Sequence, residues 1–216
     1  MGSDNDGKMG AHGLPEMTEE EKGAPSLLKQ VLSVIIPLAV GAGIGLVVVK
    51  CLEQGSTKLD LVTSHELHHL FLSAMVFGRC VGWLNTYPMQ HKSRILRGKS
   101  GNLRANMVFY RKLNEDENSG YIGMESEGDV GKYNRANRSL THFTENALPT
   151  AMSILLAGFV FPTSTLCLTS VYALGRILHQ RGYAEGGYGF QGHAPGFILS
   201  AVADFSLQGL EKHACE

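Results

Sequence analysis

Cysteine is scarce in this 216-residue chain and poorly placed for cross-linking. Cys51, Cys80, Cys167 and Cys215 lie far apart and form neither a CxxC pair nor a zinc-ligand spacing. That speaks against a disulfide framework. Three of the four sit in or beside apolar segments, where a small buried hydrophobe is expected. Net charge is nearly absent too, at −1, which gives no case for a nucleic-acid partner. Residues 1–26 lack the basic excess of a mitochondrial presequence and instead carry Asp4, Asp6, Glu16 and the run Glu19–Glu21. They also lack the Ser or Thr that a myristoylation motif places at position 6, where Asp6 stands. A polar, flexible tail is the expectation for 1–26.

Charge is missing locally as well. From Ala147 to Ile177 only Arg176 is charged. The mean hydropathy of −0.03 conceals this, because long polar stretches dilute the apolar runs. Val31 to Val49 holds nineteen residues without a charge, closed by Lys50. With Leu27 and Leu28 it is long enough for a hydrocarbon core of about 30 Å. We therefore expect a transmembrane helix over 27–50, bent at Pro37, with Gly41 and Gly45 on a face that another helix can approach. A second span runs from Leu67 to Tyr87, with Trp83 and Tyr87 suited to the interface near its exit and Arg79 in its middle.

The segment His65-Glu66-Leu67-His68-His69 matches H-E-x-x-H literally. It has no evident third ligand and abuts a span, so interfacial polar residues are expected and no metal site is assigned. The polar loop 90–134 divides into a basic half, Lys92 to Lys112, and an acidic half, Glu115 to Asp129. The basic half is read either as facing anionic headgroups or as pairing with the acidic half or a neighbouring subunit. Two spans follow, Asn134 to Val160 and, after a turn at Phe161-Pro162, a helix to about Arg181. A glycine-rich loop then precedes the last and shortest span, Phe197 to Leu210. Its Asp204 calls for a mate, expected to be an arginine on another helix.

The most informative stretch is Arg135 to Pro149. His142 and Glu145 stand four and seven residues after Arg138, so a helix puts all three on one face, with Arg135 a turn earlier. A polar stripe on a membrane helix belongs against neighbouring helices or an aqueous pocket. An arginine fork suits a carboxylate, and a glutamate suits an ammonium.

The pattern RxxxHxxENxxP over Arg138–Pro149, followed by GRxLxxxGY over Gly175–Tyr183, resembles the membrane-associated proteins in eicosanoid and glutathione metabolism. This family includes the microsomal glutathione transferases and leukotriene C4 synthase. The resemblance implies an all-α membrane protein, with a four-helix transmembrane bundle over 67–211 and the helix at 27–50 as an extra span. It also implies assembly as a homotrimer in the bilayer, in the endoplasmic reticulum or another organelle membrane. By position Arg138, Glu145, Arg176 and Tyr183 match the family's glutathione-binding residues, with His142 and His179 standing where the family has asparagine and tyrosine. The arginine that activates the thiol in leukotriene C4 synthase would fall near Phe190 or Gln191, and no arginine follows Arg181. Arg181, His179 and His193 are the candidate substitutes. The implied function is a membrane-bound transferase or peroxidase using glutathione as co-substrate against lipophilic electrophiles or hydroperoxides. The alternative is an inactive member serving as a structural subunit of a larger membrane complex.

Overall fold

Long apolar runs broken by few prolines should form long helices, and they do. The computed structural model describes residues 27–52, 57–95, 107–112 and 122–215. Its elements are α1 (Leu27–Leu52), α2 (Thr57–Ser64), α3 (His68–Ile95), β1 (Tyr110–Lys112), β2 (Ile122–Met124), α4 (Gly128–Val160), α5 (Pro162–Gly186) and α6 (Ala194–Ala214). Two compact units result. Residues 17–65 carry α1 and α2, and the other unit carries the elements from α3 onward.

In the second unit α3, α4 and α5 pack on one another, and α6 lies against α4 and α5. Cys80, Leu84, Leu140, Phe143, Tyr172, Ala173 and Ala203 form its core. The burial pattern is inverted relative to a water-soluble bundle. Ser73, Thr150, Ser153, Thr165, Thr169, Arg176, His179, Gln180 and Ser200 are buried. Phe71 and Met75 on α3, Leu155, Leu156 and Phe159 on α4, Leu174 on α5, and Val202 and Phe205 on α6 are exposed. Large apolar side chains outside and small polar ones between helices are what lipid favours, where helix association depends on close packing and internal hydrogen bonds.

Small residues make that packing possible. A methyl at Gly175 or Gly196 would collide with the backbone of the facing helix, at Ser200 and His179 respectively. Among the described residues α4 alone is long and apolar enough to cross a membrane, while α1 holds a shorter apolar run, Ile35–Cys51. The runs expected on α3, α5 and α6 fall short of that measure because polar residues such as Arg79, Asn85, Thr165, Thr169 and Gln180 interrupt them.

Several boundaries differ from expectation. α3 runs on to Ile95 and α4 starts at Gly128, so helix claims both ends of the expected loop. Pro88 lies inside α3 without breaking it. A proline cannot donate to the carbonyl four residues earlier, here that of Leu84. Gln180 of α5 supplies the bond, its Nε2 donating to Leu84 O at 3.0 Å and to Ala136 O at 3.2 Å. Within the loop β1 and β2 pair antiparallel, Arg111 opposite Gly123. Asn134 holds this hairpin to α4, accepting from Phe109 N and donating to Phe109 O and Glu125 O. Arg111 lies 3.8 Å from Glu125 and 3.6 Å from Glu127, so basic and acidic halves do meet here.

Two local expectations are corrected, for Asp204 and for the cysteines. Among the described residues Asp204 forms no salt bridge with an arginine: Thr150 Oγ1 donates to it at 2.7 Å and Gln208 Nε2 at 3.1 Å. Two neutral donors bond the carboxylate directly. Cys80 is buried, but Cys51 and Cys167 are exposed on the apolar outside of their helices. In the His65–His69 segment Glu66 takes a φ of 54°, so the motif does not lie on one continuous helix. Its side chains are used locally, Thr163 bonding His69 Nδ1 at 2.9 Å and Glu66 Oε2 at 3.3 Å. The tail 1–26 lies outside the described residues.

Gln180→Leu leaves Leu84 O buried without a donor. The expected cost is about 1–3 kcal/mol, read as a lowered unfolding midpoint in detergent.

Candidate functional site

The polar stripe of α4 forms one wall of a cavity of about 340 Å³, within the range usual for small-molecule sites. Arg138, Ser139, Thr141, His142 and Glu145 come from α4, His179 and Tyr183 from α5, Phe197 from α6. Tyr188 and His193 come from the loop between α5 and α6 and close one side. The helical spacing of Arg138, His142 and Glu145 has the consequence expected of it: all three line one opening.

The loop is shaped by glycine. Gly187 caps α5 with a φ of 69°, its N–H donating to Tyr183 O. Gly189 also has positive φ, at 98°. A methyl on Gly182 would strike the carbonyl of Gly192, so this glycine lets the loop fold back onto α5. His193 ends up edge-on to Tyr183, 5.6 Å between ring centroids, and to Tyr188, 5.2 Å. His179 is 5.6 Å from His193 and 6.0 Å from His142. Three imidazoles thus line one cavity. Among the described residues, however, no three His, Cys, Asp or Glu side chains are arranged to hold a metal ion.

Not every expected residue faces the opening. Arg176 lies beneath the floor, buried, with its guanidinium 5.5 Å from the Phe143 ring centroid. Its Nη1 donates to His142 Nδ1 and its Nη2 to Ser139 O, both at 3.4 Å. The α5 face that carries Arg176 points into the bundle, so it supports the wall instead of forming it. Arg181 is exposed and does not line the cavity, because α5 turns it away from His179 and Tyr183. Arg135 is spent on capping α5: Nε donates to Tyr183 O and Ala184 O at 3.0 Å, and Nη2 to Ala184 O at 2.7 Å. The terminal carbonyls of a helix lack internal donors and attract such a cation. Lys132 and Glu185 add an ion pair at 2.7 Å between the same helices.

Ser139, Thr141 and Phe197 were not singled out from the sequence. Ser139 is the residue after Arg138 and reaches the cavity because the groove spans more than one helical row. Its Oγ lies 2.9 Å from His179 Nδ1, both residues buried. Tyr188 is also part of the wall. Hydrogen bonding with Tyr183 holds its phenol below the usual value near 10, with a smaller contribution from Arg138. Arg138 and Glu145 form no salt bridge with each other. Among the described residues no carboxylate pairs with Arg138. A cation and an anion on one wall, seven residues apart and without a salt-bridge partner among the described residues, can receive a ligand carrying both charges.

The model of the MAPEG family matches residues 99–210, a little over half of the chain, and so includes every residue of this cavity. No curated protein and no solved structure matches the chain.

Removing the Tyr183 hydroxyl takes a donor from the Tyr188 phenolate. Tyr183→Phe should therefore raise the Tyr188 pKa, read as a shift to higher pH in the phenolate absorbance that Tyr188→Phe removes.

Proposed function

Because the chain belongs to the MAPEG family, we propose that it is a membrane-bound glutathione transferase or peroxidase whose substrates are lipophilic electrophiles or hydroperoxides. Members of this family are membrane-associated and use glutathione. On this reading α3 to α6 make a four-helix transmembrane domain over 67–211, with α1 an additional span. The protein then sits multi-pass in an organelle membrane, such as the endoplasmic reticulum, as a homotrimer or within a larger assembly.

One observation carries the proposal: Arg138 and Glu145 stand on the wall of an open cavity with no salt-bridge partner among the described residues. Seven residues of helix rise about 10 Å, and an extended tripeptide spans about the same distance. Glutathione has an ammonium at its γ-glutamyl end and a carboxylate at its glycyl end. Glu145 receives the ammonium and Arg138 the carboxylate, each in a charge-assisted hydrogen bond. His142, steadied by Arg176 from below, and Tyr183 complete the wall between them. The sulfur is then held where a bilayer-soluble substrate arrives, and proximity supplies much of the rate. Conjugation forms a carbon–sulfur bond to the electrophile. With a hydroperoxide the thiolate takes the terminal oxygen and releases the alcohol, and a second glutathione completes the disulfide and water.

A different observation favours the structural-subunit reading. Phe190, near the place where the family's activating arginine would fall, is 79% exposed, and Arg181 faces away. Calorimetry separates the two. The catalytic reading expects the detergent-purified protein to bind glutathione at low-millimolar concentration or tighter, and Arg138→Ala to weaken binding at least about tenfold, the scale of one lost charge-assisted bond. No glutathione binding by an assembled, folded protein overturns the catalytic reading.

A further inference from the structure

The floor of the cavity holds a serine–histidine pair. Ser139 and His179 are both buried, and Ser139 Oγ lies 2.9 Å from His179 Nδ1. Among the described residues the serine hydroxyl makes no other hydrogen bond, not even to the carbonyl one turn back in its own helix. A buried hydroxyl hydrogen left without an acceptor is costly, so Ser139 donates to Nδ1. That fixes the tautomer: in a neutral imidazole with Nδ1 accepting, the proton resides on Nε2. The Arg176 guanidinium beneath, bonded to the neighbouring His142 and to Ser139 O, disfavours a second positive charge here.

Nε2 has no partner among the described residues, yet it is not among the buried polar atoms left unsatisfied. It therefore opens onto the cavity that the ring lines. The ring is held in place by Phe197 at 6.0 Å, His193 at 5.6 Å and Tyr183 at 6.1 Å between centroids. The result is a neutral N–H donor, fixed in direction, in a site with Arg138 on the wall and Arg176 below.

We propose that His179 is the group that stabilises the glutathione thiolate, its Nε2–H donating to the sulfur, and that Ser139 is the positioning residue that keeps the proton on Nε2. This rests on the glutathione reading above and adds the missing thiol-activating group. The step is an ionisation. The S–H bond breaks heterolytically, its electron pair stays on sulfur, and the proton leaves to water through the cavity mouth. No oxidant or further reactant is needed. A preorganised donor aimed at a developing anion is an efficient stabiliser because it does not reorganise during the reaction.

The test uses full-length protein in detergent and two probes. S-methylglutathione, which cannot ionise at sulfur, reports binding by calorimetry. Glutathione itself reports ionisation through the ultraviolet thiolate band as pH is varied. For wild type the bound thiol should ionise at least about one pH unit below a free thiol of pKa about 8.5, giving about tenfold more thiolate at neutral pH. With thiolate read per bound glutathione, using the affinities that S-methylglutathione reports, His179→Gln and Ser139→Ala should lose most of the shift. Ser139→Thr, which keeps the hydroxyl, should retain it. Equal thiolate in wild type and Ser139→Ala, with binding intact in both, overturns this inference and leaves the glutathione site standing. Failure of wild type to bind S-methylglutathione overturns the glutathione reading and this inference with it.

Discussion

An ionised side chain cannot be left against hydrocarbon, and α4, a helix long and apolar enough to cross a membrane, carries Arg138 and Glu145 on one face. The fold around them follows from that constraint. Glycines at 175, 182 and 196 bring α5, α6 and the connecting loop close enough to enclose a cavity beside the stripe. Arg135 and the Lys132–Glu185 pair fix the end of α5 to α4. Arg176, the only charged residue from Ala147 to Ile177, is taken inward and bonded to His142 and the Ser139 carbonyl. Polar groups thus gather at one end and along the helix contacts, while the apolar ones are turned outward.

The same constraint separates two kinds of polar residue inside the bundle. Thr150 bonded to Asp204, and Gln180 Nε2 bonded to the Leu84 carbonyl, are directed at neighbouring helices and stabilise packing. Arg138, Glu145 and His179 Nε2 open instead onto the cavity. A membrane bundle gains no stability by leaving charges without counter-charges. Leaving them so on one wall of a cavity fits a site whose ligand brings the opposite charges.

Much of this was legible in the sequence because spacing determines a helix face. Offsets of four and seven put Arg138, His142 and Glu145 together, and the GRxLxxxGY pattern led to His179 and Tyr183. What was not legible depends on the direction a neighbouring helix approaches from. Arg176 matched a motif yet lies beneath the wall, and Arg181, five residues on, points outward. The span on α3 was expected to end near Tyr87, where Trp83 and Tyr87 suit an interface. It continues to Ile95 because a distant glutamine replaces the hydrogen bond that the proline forfeits. The hairpin within the loop also went unread, because its strands are three residues each and take their anchorage from Asn134, far along the chain.

The central claim is that the unpaired charges of α4 recognise opposite charges on one tripeptide. The most direct measurement compares the affinities of glutathione and its N-acetyl derivative for wild type and for Glu145→Gln. If Glu145 holds the ammonium, acetylation weakens binding to wild type at least about tenfold, and the difference largely disappears in the variant. Equal affinity of wild type for the two compounds, or an undiminished difference in Glu145→Gln, contradicts the account.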